Sequence, residues 1–66
     1  MKVIVNGHER DLPSSLSLLD LIGQYRLKAE TVIITLNDKV IKRGSWMETM
    51  VGEGDRIELI SLVGGG

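Results

Sequence analysis

The three glycines at the end of the sequence, Gly64, Gly65 and Gly66, are the residues whose type and spacing best suggest chemistry. They follow the most apolar strand-like run without a polar spacer, whereas the ends of most small domains are frayed and dispensable. Because glycine has no Cβ, such an end can enter a narrow slot backbone-first. We therefore expect the carboxylate of Gly66 to be the functional group, with Gly64 and Gly65 threading it into a partner.

The remaining reactive side chains are isolated in the sequence. His8 is the only histidine, and without a cysteine partner or a clear constellation of carboxylates we interpret it as a solvated strand residue. Lys39, Lys42 and Arg43 form a small basic group that is either solvated surface or a place for partner docking. No pair of acidic residues has metal-ligand spacing, so we expect neither a metal site nor a catalytic side chain.

Length and composition exclude several classes of protein. A chain of 66 residues forms one domain and buries only roughly 60% of the surface that the unfolded chain exposes, too little for a deep catalytic pocket. Eight basic and nine acidic residues give no basic surface for nucleic acid. The absence of cysteine excludes disulfides, thiolate metal sites and a cysteine nucleophile. No segment reads as a signal peptide or a membrane span, and we expect a cytoplasmic protein.

The first elements that must position the tail are a hairpin and a helix. Lys2 to Asn6 is rich in β-branched residues, and Asn6-Gly7 predicts a tight turn with positive φ. His8 to Leu12 is predicted as a polar edge strand, which Pro13 ends.

The helix is predicted from its cap and its apolar spacing. Ser17 followed by Asp20 resembles a capping box with aspartate in place of glutamate. Gly23 interrupts this helix at a cost of about 1 kcal/mol relative to alanine. Four residues at helical spacing are expected to form one buried face: Leu18, Leu21, Ile22 and Tyr25.

The second half of the chain predicts further strands around a short helical turn. Thr31 to Leu36 is a β-branched run, Asn37-Asp38 is a plausible turn, and a new strand begins at Lys39. In the ambiguous segment from Arg43 to Met50, a short helical turn would place three apolar residues on one face. We interpret all three as core: Trp46, Met47 and Met50.

The last predicted strand, Arg56 to Val63, changes character along its length. Its first half alternates charged and apolar residues, as expected for one wet and one buried face. Ile60 and Leu62 then replace the charges on the wet face. Either these two side chains form an outward docking surface beside the tail, or the strand is covered on both faces. Both interpretations hold if only the far end protrudes, and we take Ile60 and Leu62 as candidates for partner docking.

The order of elements indicates an α+β domain with a mixed sheet and one principal helix packed across it. We expect residues 1–63 to form this single domain and residues 64–66 to form a flexible glycine tail.

Several of these features together resemble the ThiS sulfur carriers of thiamine biosynthesis, which belong to the ubiquitin-like β-grasp group. The resemblance covers the full chain and rests on the early hairpin, the single helix, Arg43-x-x-Trp46, Gly54-Asp55-x-Ile57 and the final Gly-Gly. It implies a five-stranded β-grasp sheet with the first and last strands parallel at its centre. The departure from the family is a third glycine, Gly64, which lengthens the flexible part.

The resemblance also implies a chemistry and a set of partners. An activating enzyme of the ThiF type would use ATP and Mg²⁺ to adenylate the carboxylate of Gly66, and sulfur would then displace AMP to leave a thiocarboxylate. A thiazole synthase of the ThiG type would take the sulfur, which a donor such as a cysteine desulfurase would supply. The chain itself would bind no cofactor and would not be an enzyme.

Other functions stay open at the level of sequence. The chain could be a carrier of another pathway, similar to the small subunit of molybdopterin synthase, although that family tends to have prolines before its terminal glycines. It could be a ubiquitin-like modifier that is conjugated to proteins. It could also be a β-grasp interaction module whose tail is only a frayed end.

Overall fold

A computed structural model describes residues 1–62, so the predicted tail residues Gly64, Gly65 and Gly66 lie outside the described residues, as does Val63. Five strands form one sheet in the order β2-β1-β5-β3-β4. The strands are β1 (Lys2–Val5), β2 (His8–Asp11), β3 (Val32–Leu36), β4 (Lys39–Ile41) and β5 (Arg56–Ser61). The helical segments are α1 (Leu18–Gln24) and two 3₁₀ segments, η1 (Ala29–Thr31) and η2 (Arg43–Glu48).

Both predicted turns are confirmed, and each joins an antiparallel pair of strands. Asn6 and Gly7 have φ angles of 51° and 82°, and they connect β1 to β2. Asn37 and Asp38 have φ angles of 52° and 73°, and they connect β3 to β4. Turns with two positive φ angles match the right-handed twist of the flanking strands. The outer strands of the sheet are β2, as predicted, and β4.

The strand β5 occupies the centre of the sheet, between the first strand and the third. It runs parallel to β1, with Ile4 opposite Arg56, and antiparallel to β3, with Ile34 opposite Leu59. The β-grasp arrangement that the resemblance implies, with the first and last strands parallel and central, is therefore confirmed. In this arrangement the described chain ends just beyond a strand that is paired on both sides.

Helix α1 packs on one face of the sheet and is fixed at both ends. The Ser17 side chain accepts a hydrogen bond from the backbone N–H of Asp20 at 3.1 Å, which confirms the predicted cap. Near its C-terminus, Tyr25 is held by β2: Arg10 Nη1 donates to Tyr25 Oη at 2.7 Å, and the guanidinium lies 5.2 Å from the ring centroid. Leu18, Leu21 and Ile22 are buried as predicted, whereas Tyr25 is half-buried.

The core between α1, η2 and the sheet contains residues from every part of the chain. Its fully or nearly buried members are Val3, Val5, Leu12, Leu18, Leu21, Ile22, Val32, Ile34, Trp46, Val51, Ile57 and Leu59. Among residues 1–62, no buried side-chain nitrogen or oxygen lacks a hydrogen-bond partner. None of the helices formed by these residues is both long and apolar enough to cross a membrane.

The prediction for Trp46 is confirmed, but the prediction that Met47 and Met50 belong to the core is wrong. Trp46 is 1% exposed, whereas Met47 and Met50 are 72% and 54% exposed. The reason is the local geometry. Met47 follows Trp46 directly on a 3₁₀ segment, where consecutive side chains diverge. Met50 lies beyond η2, where it forms an isolated bridge with Ser17 instead of continuing a helical face.

Candidate functional site

The candidate site is the solvent-facing side of the sheet at the end of β5. In this strand Ile57 and Leu59 are 0% and 8% exposed, while Ile60, also in the strand, and Leu62, one residue beyond its end, are 47% and 61% exposed. The alternation of a strand places the first pair in the core and the second on the opposite face. The two predicted docking residues are therefore both exposed to solvent, and they come just before residues 63–66 in the sequence.

A third apolar side chain, Ile33 of β3, extends this surface. Ile33 lies directly opposite Ile60 in the antiparallel pair, where side chains of one face are close enough to contact. The pairing continues past β5, because the backbone N–H of Leu62 donates to the Thr31 carbonyl at 2.7 Å. We call Ile33, Ile60 and Leu62 the β5 patch. Sequence reasoning missed Ile33, although its position between the core residues Val32 and Ile34 indicates an outward side chain.

The side of β5 that faces β1 is held by one asparagine. The backbone N–H of Asn6 donates to the Ile57 carbonyl at 2.9 Å, and Asn6 Oδ1 accepts from the backbone N–H of Leu59 at 2.8 Å. Strand β1 ends at Val5, so this side chain continues the hydrogen bonding where the neighbouring strand stops. Asn6 therefore fixes the backbone of β5 one residue before the exposed Ile60.

The start of β5 is held by a second asparagine in the β3–β4 turn. The backbone N–H of Asn37 donates to the Arg56 carbonyl at 2.7 Å, and Asn37 Oδ1 accepts from the Arg56 N–H at 2.9 Å. Asn37 Nδ2 also donates to Asp55 Oδ1 at 3.0 Å, while the other carboxylate oxygen of Asp55 accepts from the Gly52 N–H at 2.7 Å. The strand is thus fixed at both ends, which keeps its outward residues in register.

An exposed ion pair adds to this end of the strand. The Arg56 guanidinium donates to the Asp38 carboxylate, and this hydrogen bond, together with the attraction between the two charges, raises the pKa of Arg56 above its ordinary value. Farther along the same face, Thr35 Oγ1 donates to Glu58 Oε1 at 2.9 Å, so polar groups adjoin the β5 patch on its Arg56 side.

Beside the β5 patch lies a cleft of about 280 Å³ at the β4 edge of the sheet. Its apolar lining includes Val32, Ile41 and the buried Trp46, and Ile33 lines it as well. Trp46 is fixed there, because its Nε1 donates to the Ile41 carbonyl at 2.9 Å. Nothing in the spacing of the sequence predicts this cleft, since it depends on how η2 passes under the end of β4.

The other residues considered in the sequence lie away from the end of β5 or on its margin. His8 is exposed on the edge strand β2, as predicted. Of the basic group, Lys42 and Arg43 line the cleft, whereas Lys39 does not. Within residues 1–62 no group of three or more His, Asp or Glu side chains is arranged to hold a metal ion. Any reaction at Gly66 lies outside the described residues.

Comparison with known proteins agrees with this architecture. The crystal structure of the thiamine biosynthesis protein ThiS from Geobacter metallireducens is 32% identical to this chain and superposes with a TM-score of 0.85, covering 100% of both chains. The chain is also 29% identical to thiazole synthases of Paramagnetospirillum magneticum and Magnetococcus marinus; its 66 residues span only 20% of the length of each. The model of the ThiS family matches residues 3–66. This match includes nearly the whole sequence, and the chain therefore belongs to the ThiS family.

Proposed function

We propose that this protein is a sulfur carrier for thiamine biosynthesis and that its functional group is the carboxylate of Gly66. The observation that carries the proposal is the β5 patch, an exposed apolar surface on a rigidly held strand that leads directly to the glycines. Membership in the ThiS family supports it, since the family match extends to residue 66. In this role the chain is a protein substrate and not an enzyme.

The proposed chemistry has two steps. A carboxylate oxygen of Gly66 attacks the α-phosphorus of ATP, which forms an acyl adenylate and releases pyrophosphate. Sulfide then attacks the carbonyl carbon and expels AMP, which leaves a thiocarboxylate. A persulfide from a donor such as a cysteine desulfurase would first form an acyl disulfide, which a thiol reductant then cleaves to the thiocarboxylate. The first step brings two anions together, so it needs Mg²⁺ and fixed cationic or backbone donors in a closed site. A partner of the ThiF type would supply these groups.

The proposed acceptor of the sulfur is a thiazole synthase. Two thiazole synthases contain a segment that matches this whole chain, which supports a direct relationship between the carrier and such an enzyme. We expect Gly64 and Gly65 to thread the thiocarboxylate into that enzyme's site. All these partners are expected in the cytoplasm.

Docking by the β5 patch offsets the entropy that threading costs. Fixing the backbone of one residue opposes binding by about 1–2 kcal/mol, and three glycines must be fixed. Ile60 and Leu62 are already 47% and 61% exposed, so their burial against a partner contributes apolar area without any rearrangement of the carrier.

The proposal is tested by the mass of the intact, untagged protein after incubation with ATP, Mg²⁺, sulfide and the activating enzyme of the same source. We expect a gain equal to the exchange of one oxygen for sulfur. Deletion of Gly65 and Gly66 should abolish the gain and leave thermal unfolding unchanged, and a C-terminal tag should also abolish it. Full activity of the deleted or tagged protein would instead indicate an interaction module with an unreactive tail.

The docking role of the β5 patch is tested by charge insertion. Ile60→Glu and Leu62→Glu should weaken binding to the activating enzyme and change the thermal midpoint little, because both side chains are exposed. Met47→Glu is the control, since Met47 is also apolar and is 72% exposed but lies on η2. A large loss of stability in the first two variants, or equal binding by all three, would contradict the assignment.

A further inference from the structure

The cleft beside the β5 patch combines an apolar interior with an exposed basic rim. Val32 and Trp46 are 6% and 1% exposed and form part of its apolar lining, whereas Lys42 and Arg43 are exposed at its margin. Glu30 is the acidic residue among those that line it. Lys42 and Arg43 outnumber Glu30 among the charged residues of the lining, so the lining is positive in a protein whose net charge is −1.

The two rim cations have no anionic partner in the described part of the chain. The ion pairs formed by residues 1–62 join Met1 to Asp11 and Arg56 to Asp38. Neither Lys42 nor Arg43 takes part in them, and Glu30 is not within ion-pair distance of either. Both charges are therefore available to a carboxylate from outside the molecule.

The size of the cleft decides what kind of group it can accept. Sites for small molecules and cofactors usually have volumes of about 300–1,000 Å³, and this cleft has about 280 Å³. This volume lies at the lower end of that range and leaves room for one large side chain of another protein. Its shape is preformed, because the hydrogen bond from Trp46 Nε1 to the Ile41 carbonyl fixes the indole.

The cleft is continuous with the proposed docking surface. Ile33 lines the cleft and lies opposite Ile60 in the β5 patch, so a partner that covers Ile60 also reaches the cleft. Val40, which is 68% exposed, lies opposite Thr35 on the same face of the sheet and lines the cleft too.

We propose that this cleft is a specificity pocket that accepts an apolar side chain flanked by carboxylates on the surface of the thiazole synthase. This rests on the proposed function, which supplies the identity of the partner. The apolar interior would bury the side chain, while Lys42 and Arg43 would pair with the adjacent carboxylates. The same charges would speed the encounter, as complementary rim charges do.

The test compares two double charge reversals in the full, untagged protein. Lys42→Glu with Arg43→Glu alters the rim, and Lys28→Glu with Lys39→Glu makes the same change in net charge outside the lining. Association with the thiazole synthase of the same source is measured at about 0.05 M and about 0.5 M salt, since screening weakens exposed charges. We expect the rim variant to associate on the order of tenfold more slowly at low salt, with little change in the control and a smaller difference at high salt.

A second readout locates the contact. Trp46 is the only tryptophan, so its indole N–H gives a single NMR signal at the cleft, and this signal should shift when the synthase binds. Equal slowing of both double variants would overturn the proposal in favour of general electrostatic steering. An unchanged rim variant or an unshifted indole signal would overturn it as well. Failure of the proposed function is distinguishable, since it appears as a wild-type protein that gains no sulfur.

Discussion

At the scale of single residues, Asn6 has more roles than the sequence pattern indicates. The Asn6-Gly7 pair predicts the turn correctly, and the φ angle of 51° shows why asparagine suits it. The pattern does not predict that Asn6 Oδ1 accepts from the N–H of Leu59 at 2.8 Å, because that contact depends on the parallel pairing of β1 with β5. One turn residue thus also supports the strand that carries the β5 patch.

Substitution of Asn6 separates these two roles. Asn6→Gly keeps the backbone conformation accessible but removes the acceptor, and leaving the half-buried Leu59 N–H without a partner should cost about 1–3 kcal/mol in unfolding free energy. Asn6→Asp keeps an acceptor and should cost less. Chemical denaturation of both variants, with His8→Ala as an exposed control, measures the difference. Equal stability of Asn6→Gly and the wild type would show that the side-chain bond contributes nothing.

At the scale of elements, the sequence predicted the short helical turn that η2 forms, but it did not predict which side chains of that segment are buried. Both turns and the cap of α1 follow from residues adjacent in sequence. The exposure of Met47 and Met50 follows instead from the 3₁₀ geometry of η2 and from the bridge between Met50 and Ser17. Similarly, the alternation in β5 correctly predicted outward positions for Ile60 and Leu62, whereas the cleft beside them depends on packing between distant segments.

Helix α1 offers a test at this scale through Gly23. A Cβ at Gly23 would meet no atom within 4 Å, so close packing does not require the glycine. We expect Gly23→Ala to stabilise the protein by about 1 kcal/mol, which corresponds to about 4–8 °C in the thermal midpoint of a domain of this size. Calorimetry measures the shift.

Gly7 is the matched control for Gly23. A Cβ there also meets nothing within 4 Å, but its φ angle of 82° is one that residues with side chains rarely adopt. Gly7→Ala should therefore lower the thermal midpoint. If both alanine variants shifted the midpoint in the same direction, backbone conformation would not be the deciding factor.

At the scale of the whole molecule, the order β2-β1-β5-β3-β4 unites the ends of the described chain in one sheet. The core includes Val3 near one end and Leu59 near the other, with Trp46 between the helix and the sheet. The pattern of charged and apolar residues was enough to predict an α+β domain with a mixed sheet. The positions of the first and last strands at the centre of that sheet came from the family resemblance and not from the pattern.

This shared core predicts cooperative unfolding. Trp46 is 1% exposed, so its fluorescence should report the loss of the core, while far-UV circular dichroism reports the loss of α1 and the strands. The two denaturation curves should coincide, as expected for a small two-state domain. A fluorescence transition that precedes the other would show that η2 detaches before the sheet opens.

The central position of β5 also has a mechanical consequence. In the proposed function, a partner that pulls the chain beyond Leu62 along the axis of β5 would place a load on this strand. The hydrogen bonds to β3 run across that axis, and Val32 to Leu36 all pair with β5. The hydrogen bonds between the two strands would then bear the load together, in shear. If an edge strand were peeled away instead, its hydrogen bonds would break one at a time. The folded domain would therefore resist a force applied at the end of β5.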